Sequence, residues 1–318
     1  MARFAVGVSL CLSLATLVSA QRSDPQALSY GSPTVITGWN CNQKYHFGNQ
    51  QGPSIMTFFR RISVSILLSV ATVAFGQQPA SSPTALSYAA QSVAAMSGNT
   101  LVGDVTFMGN VNTWMAGSIA DSGTTTLKIK GYGESRIDMQ FTVSGALSQI
   151  RDASTGIAQG ESITAGTGTV SSQQTCLTDA SWFYPLNSAM AIAPNKGIVL
   201  SYIGPETLGG EPVQHLQSYS YQSGLDPASQ AQVQLNSTID YYLDATTLLP
   251  VAEDFNLYSN GTTAIPVQVL FLSYQTAGGI TSPQRIQQYI NGTLQLDVTI
   301  TSVLVNTGIP LSTFTIPQ

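Results

Sequence analysis

Charge is the scarcest commodity in this sequence. Asp, Glu, Lys and Arg make up 8% of its 318 residues, against about 25% in an average soluble domain. From residue 77 onward 6 Lys and Arg face 15 Asp and Glu, which gives 6 − 15 = −9. No basic patch remains, so nucleic acid is excluded as a partner, and anionic membrane surfaces would repel this part. Cysteine is equally sparse: Cys11, Cys41 and Cys176 are the three present, and only Cys176 follows residue 77. That part can close no internal disulfide, and no C-x-x-C or Cys/His cluster suggests a metal. Cys176 reads as a small buried apolar residue, and neither metal nor cofactor is expected.

The usual catalytic signatures are missing as well. There is no HExxH, G-x-S-x-G, P-loop or dinucleotide fingerprint. His215, in EPVQHLQSY, is the one histidine after residue 77; nothing near it marks a nucleophile, and it reads as a surface residue of a strand. Asp240 and Asp244 share a strand face opposite Ile239, Tyr241 and Leu243, while the adjacent Glu253 and Asp254 face opposite ways. A glycosidase would need two carboxyls across a cleft; strand alternation already accounts for these as a solvated face. A carboxylate-dependent hydrolase is therefore the weakest functional class. Sequons at Asn236, Asn260 and Asn291 are what a chain rich in Ser and Thr produces by chance, and two of them double as turns.

What the chain does have is two leaders. Residues 1–20 combine one arginine, an apolar stretch and a V-S-A end, a passable signal peptide. Residues 56–76 make a better one: Arg60-Arg61, then an apolar core from Ile62 to Phe75, then Ala74-Phe75-Gly76 at the cleavage position. That core is short of the roughly 20 residues a bilayer span needs, so no stable membrane span is expected once the leader is removed. Cys11 sits too early for a lipobox. Residues 21–55 are irregular. The reading is that translation starts at Met56, that residues 1–55 are not part of the gene product, that 77–83 form a linker, and that 84–318 form one exported domain.

Within that domain TALSYAAQSVAAMSGN places Leu86, Ala89, Val93 and Met96 on one helix face, with Thr84 as N-cap and Gly98 as stop. Strands are expected at 101–108 and 111–119 around a Gly109-Asn110 turn, then at 124–130. RIDMQFTV alternates strictly, Ile137, Met139, Phe141 and Val143 against Arg136, Asp138, Gln140 and Thr142, so its sheet has one dry face and one wet face. SQIRDASTGIAQGES reads as strand, turn, strand, and 165–172 as loop. QQTCLTDASWFYPLNSAMAIAP, 173–194, breaks the pattern as short helices interrupted at Pro185. Strands resume at 197–204, 211–221, 236–244, 249–258, 265–274, 283–290 and 293–305, the last two joined by an Asn291-Gly292 hairpin turn. The fold class is α+β. About ten antiparallel strands cannot stay flat, so a strongly curved sheet is expected, with the N-terminal helix and short helices covering its concave face.

Bulky or pliable residues are spread over that dry face and the helical break: Met108, Trp114, Met115, Met139, Phe141, Trp182, Phe183 and Met190. Methionine adapts to irregular ligands, and a curved sheet leaves a hollow, so these eight are the candidate ligand-binding residues. No catalytic residue is assigned.

This organisation resembles the LolA/LolB-like family of periplasmic lipoprotein carriers over residues 84–317. The residues that carry the resemblance are Asp244, Thr247, Leu249 and Pro250, followed by Val269, Phe271, Tyr274, Gly279, Pro283 and Ile286; TDASWFYP is similar to the family's helical insert. The resemblance implies an unclosed β-barrel with helices as a lid, a periplasmic or secreted location, and acyl chains of a lipid or lipoprotein as partners. The alternative class is an envelope structural or interaction module whose sheet is filled by its own side chains. N-terminal sequencing of the exported product is expected to start at Gln77; a product starting at Gln21 would refute the assigned boundary.

Overall fold

The computed structural model describes residues 79–131, 133–152, 159–164, 166–170, 182–186, 197–259 and 263–316. Both leaders, residues 21–55, the first two linker residues, Cys176, Asn260 and Met190 lie outside the described residues. The described chain is α1 (Pro83–Ser97), β1 (Asp104–Met115), β2 (Ser118–Lys130), β3 (Glu134–Phe141), β4 (Ala146–Asp152), β5 (Gln159–Thr164), β6 (Thr167–Val170), β7 (Ile198–Leu208), β8 (Glu211–Ser220), α2 (Pro227–Ser237), β9 (Ile239–Asp244), β10 (Pro250–Ser259), β11 (Thr263–Ala277), β12 (Ile280–Ile290) and β13 (Thr293–Val305).

All thirteen strands join one antiparallel sheet in the order β6-β5-β4-β3-β2-β1-β13-β12-β11-β10-β9-β8-β7. Two meanders are thus zipped together by β1 and β13, with Val105 opposite Val305 and Thr113 opposite Leu296. The sheet does not close, because β6 and β7 are both edges. It is the strongly curved, unclosed barrel expected.

α1 lies across the open face. At its start the Ser82 N–H donates to the Leu200 carbonyl at 2.7 Å and the Leu200 N–H to Ser81 Oγ at 3.0 Å. Past its end Thr100 Oγ1 donates to the Gly279 carbonyl at 2.9 Å. The helix therefore runs from β7 to the β11–β12 turn. Its 15 residues span about 22 Å at 1.5 Å per residue. That nearly matches the five strand steps from β7 to β12, about 24 Å at 4.8 Å each. The N-cap is Ser82, with Pro83 in the first turn, and not Thr84; proline preset for helix displaces the start by two residues. Gly98 ends the helix at φ 55°. The buried stripe is Ala85, Ala89, Ser92 and Met96, while Leu86 and Val93 flank it half-buried. Small residues at the contact let the backbone approach the sheet.

Four other expectations are corrected. β1 runs straight through Gly109-Asn110, and the turn falls at Ala116-Gly117, with φ 50° and 79°. Gly109 is there because its neighbour strand comes close: a Cβ would lie 2.2 Å from the Thr299 carbonyl oxygen. Residues 167–170 are strand β6, not loop. Residues 236–237 finish α2 and are not strand; Asp226 caps α2 through the Ala228 and Ser229 N–H groups, with Pro227 following. Strand β11 starts at 263 and β12 at 280, longer than their apolar cores.

The C-terminal tail folds back on the outside. Asp104 accepts hydrogen bonds from Thr307 N–H (2.8 Å), Thr307 Oγ1 (3.1 Å), Gly308 N–H (2.9 Å) and Ile309 N–H (3.3 Å). Burial raises the Asp104 pKa, but these donors outweigh it and hold the carboxyl below its ordinary value. Gly109→Ala is expected to cost about 1–3 kcal/mol or more, since the clash is with backbone; a lowered midpoint in urea unfolding would show it, and an unchanged midpoint would refute the close approach.

Candidate functional site

Alternation along each strand sends one set of side chains to the concave face. Val105, Phe107 and Val111 of β1, Ile137, Met139 and Phe141 of β3, Val267, Val269 and Phe271 of β11, and Leu296, Val298 and Ile300 of β13 all belong to one buried apolar cluster. α1 contributes Ala85, Ala89 and Met96, and the helical break contributes Trp182, Phe183, Tyr184 and Leu186. The break grips the sheet through rings: Phe183 meets Phe107 edge-on at 6.5 Å, Tyr184 meets it at 5.2 Å, and Trp182 stands perpendicular to Phe183 at 6.0 Å. Near the free edge Tyr88 of α1 packs on Tyr202 of β7 at 5.3 Å, and the Tyr202 hydroxyl donates to Gln214 Oε1 at 2.6 Å.

Of the eight candidates, the structure brings Met139, Phe141, Trp182 and Phe183 into this cluster. Met108 and Trp114 are half-buried and outside it, and Met115 is 55% exposed at the end of β1. A small cleft at the rim, with a volume of about 10 Å³, is lined by Thr113, Phe141, Ser144, Gly145, Ala146, Leu147 and Thr164.

Polar groups on the concave face were not foreseen. Glu253 is 2% exposed, registered between Tyr241 and Val269. Its parity with Phe255 in the sequence was the available signal. The Ser92, Tyr184 and Ser282 hydroxyls are buried with no hydrogen-bond partner. Burial pushes the Tyr184 phenol far above its ordinary pKa, so it is a neutral donor.

The outer face carries the second set. His215 is 8% exposed, not the surface residue expected: Nδ1 lies 2.8 Å from Glu206 Oε1 and Nε2 lies 2.7 Å from Asp240 Oδ1. Its ring stacks on Tyr242 at 4.6 Å. Asp240 also accepts from Gln217 at 2.9 Å. Asp244 is occupied differently, accepting from the Thr246 N–H at 3.1 Å and the Thr247 N–H at 2.6 Å. Both carboxylates flagged for hydrolysis are thus engaged in holding strands and turns. Among the described residues no group of His, Cys, Asp and Glu is placed to hold a metal, and no helix is long and apolar enough to cross a membrane.

The family-like residues also have structural tasks here. Asp244 and Thr247 build the β9–β10 turn, in which Leu248 takes φ 57°. The Tyr274 hydroxyl donates to the Pro250 carbonyl, joining the two halves of the pattern. Gly279, at φ 81°, presents its carbonyl to Thr100, and a Cβ would meet Thr100 Oγ1 at 2.7 Å.

No protein-family model and no curated protein matches the sequence. Solved structures similar to this one include a domain described as an outer membrane lipoprotein-sorting protein from Vibrio parahaemolyticus, at 12% identity and TM-score 0.47 over 73% of this chain and 96% of that one. A DUF1329 family protein from Desulfovibrio piger is similar at 11% identity and TM-score 0.46 over 74% and 98%. A LolA superfamily protein from Nitrosomonas europaea is similar at 12% identity and TM-score 0.43 over 73% and 97%.

Phe183→Ala, removing the ring that meets both Phe107 and Trp182, is expected to destabilise the ligand-free protein by about 3–5 kcal/mol. Chemical denaturation measures this, and a loss below about 1 kcal/mol would show the break to be loosely seated.

Proposed function

We propose that the protein is an exported, non-enzymatic lipid- or lipoprotein-binding protein of the periplasm that shelters acyl chains against its concave face. The observation that carries this reading is the make-up of that face: a single apolar cluster runs from β4 round to β7, covered among the described residues by one helix and a ring-anchored break and not by a second sheet. A cover attached at a few points can move aside without unzipping the sheet. The proposed lining centres on Met139, Phe141, Trp182 and Phe183, the four candidates that share the cluster, and Met190 follows Phe183 closely in the chain.

Each buried methylene contributes about 0.8 kcal/mol, so about ten of them give about 8 kcal/mol, the micromolar range before ordering costs are subtracted. The buried hydroxyls of Ser92, Tyr184 and Ser282 would serve as donors to an ester or amide carbonyl carried with the chain. Native mass spectrometry of protein purified from a bacterial envelope is expected to show a mass excess of lipid size that organic extraction removes. A clean apo mass from the same source, unchanged after incubation with lipid, would overturn the carrier reading in favour of a self-filled structural module.

A further inference from the structure

The β7–β8 hairpin is weakly built at its outer half. Beyond the register shift at Tyr202/Gly204 the pairs are Gly204–His215, Pro205–Gln214, Glu206–Val213, Thr207–Pro212 and Leu208–Glu211. Proline stands once on each strand of this half; the Pro212 carbonyl turns away from β7 to accept from the Ala245 N–H at 3.0 Å, so Pro205 and Pro212 occupy pairs that exchange no hydrogen bonds between β7 and β8. Glycine at 204 and a Gly209-Gly210 turn add no side-chain packing, and Pro205, Glu206, Thr207, Glu211 and Pro212 are exposed. Among the described residues β7 has no strand on its other side. Side chains must therefore supply what the backbone lacks.

They do so at one point. Both ring nitrogens of His215 face carboxylate oxygens, Glu206 on β7 at 2.8 Å and Asp240 on β9 at 2.7 Å. A neutral imidazole has one N–H and one bare nitrogen, so it can satisfy only one carboxylate and must turn a lone pair on the other. The imidazolium donates to both. We propose that Glu206–His215–Asp240 is a proton-operated latch: the charged ring ties the outer half of the edge hairpin across β8 to β9, and loss of one proton to solvent lets that half of the hairpin detach.

The surroundings work in the same direction. Gln217 of β8 donates to Asp240 at 2.9 Å. Asp254 of β10 is registered directly against Asp240, and α2, which packs on β8 and β10, carries no charged residue. Burial lowers the His215 pKa, but the hydrogen bonds and charges of Glu206 and Asp240 outweigh it, and the net shift is upward. Burial raises the Asp254 pKa, the Gln268 hydrogen bond lowers it, Asp240 raises it and His215 lowers it, with a net rise. Burial foremost, then the neighbouring carboxylates, push the Tyr242 phenol up to about 12, so the stacked ring stays neutral while His215 titrates. A histidine whose folded pKa is raised gives stability that is complete below its unfolded value of about 6.5 and is lost as pH climbs through the folded value. Asp254 acts with the same sign at lower pH. When His215 discharges, Glu206, Asp240 and Asp254 are left as three carboxylates around a neutral ring.

The test uses uniformly ¹⁵N-labelled protein, with His215 assigned by its absence in His215→Gln. Both ring nitrogens are expected in the protonated range at low pH and to titrate with a midpoint above 6.5. Backbone amides of Glu206, Leu208 and Val213 are expected to lose protection about tenfold or more, relative to those of Ile286 and Val298, as pH crosses that midpoint. Asp240→Asn is expected to lower the midpoint, and His215→Gln to leave the hairpin amides poorly protected at every pH. A His215 midpoint at or below 6.5, or a constant ratio of edge to central exchange across the titration in the wild-type protein, would overturn the latch even where a variant does not fold. Neither readout involves lipid, so the result is independent of the carrier reading.

Discussion

Among the described residues a single sheet of thirteen strands has one dry face and no second sheet to bury it, and the rest of the molecule answers that problem. Twist makes so wide a sheet curl, which brings part of the dry face against itself. What curling leaves open must be covered by something else. α1 does this as a single helix tied at both ends, to Leu200 on the edge strand and to Gly279 at the β11–β12 turn. A shorter helix would leave one end of the trough uncovered, and a longer one would overrun the Gly98 stop.

The same attachments deal with the exposed edge. Leu200 is the point where β7 offers both its N–H and its carbonyl away from β8, and Ser81 and Ser82 take both. The cover of the dry face and the guard of the edge are one segment, so an edge strand that would otherwise recruit foreign chains is partly paired from within. At the opposite edge β6 is only four residues long, which limits the template it presents. The outer surface under β2–β4 is closed by the C-terminal tail, where Arg136 donates to the Thr313 carbonyl at 3.0 Å and Phe314 is fully buried.

Much of this was legible in the sequence because alternation carries it. RIDMQF and the strands after residue 263 announce both face and partner, and the antiparallel registers of the latter follow from Gly278-Gly279 and Asn291-Gly292; Val143, expected on the dry face, lies past the end of β3 and is 83% exposed. Where local signals mislead, a long-range contact has overridden them. Gly109-Asn110 looks like a turn, yet the glycine answers to a strand nearly two hundred residues away. α2 has no apolar stripe strong enough to read, although Asp226-Pro227 marks its start. The site divides in the same manner. Aromatic and methionine content pointed to the dry face, but a one-residue parity decides whether a side chain reaches it, and Met115 at a strand end does not. The histidine clamp was invisible because Glu206, His215 and Asp240 come from three strands, and their meeting depends on pairings that no local pattern encodes.

The outer clamp and the greasy interior are two sides of one requirement. A slip of one residue in β8, β9 or β10 would turn His215, Asp240 or Asp254 into the apolar trough and the trough's residues into water. The cost of burying those charged groups without their partners is far larger than the difference between two apolar packings. Register is therefore enforced from the polar face, through Glu206–His215–Asp240, Asp254–Gln268 and Arg285–Asp297. The concave face is relieved of that duty. It can carry methionine, threonine and glycine among its larger residues, and it can be covered by a helix with a narrow alanine stripe, without the fold losing its definition. A protein whose interior had to specify its own register would need a tight, unique packing there; one whose exterior does so can keep an adaptable interior.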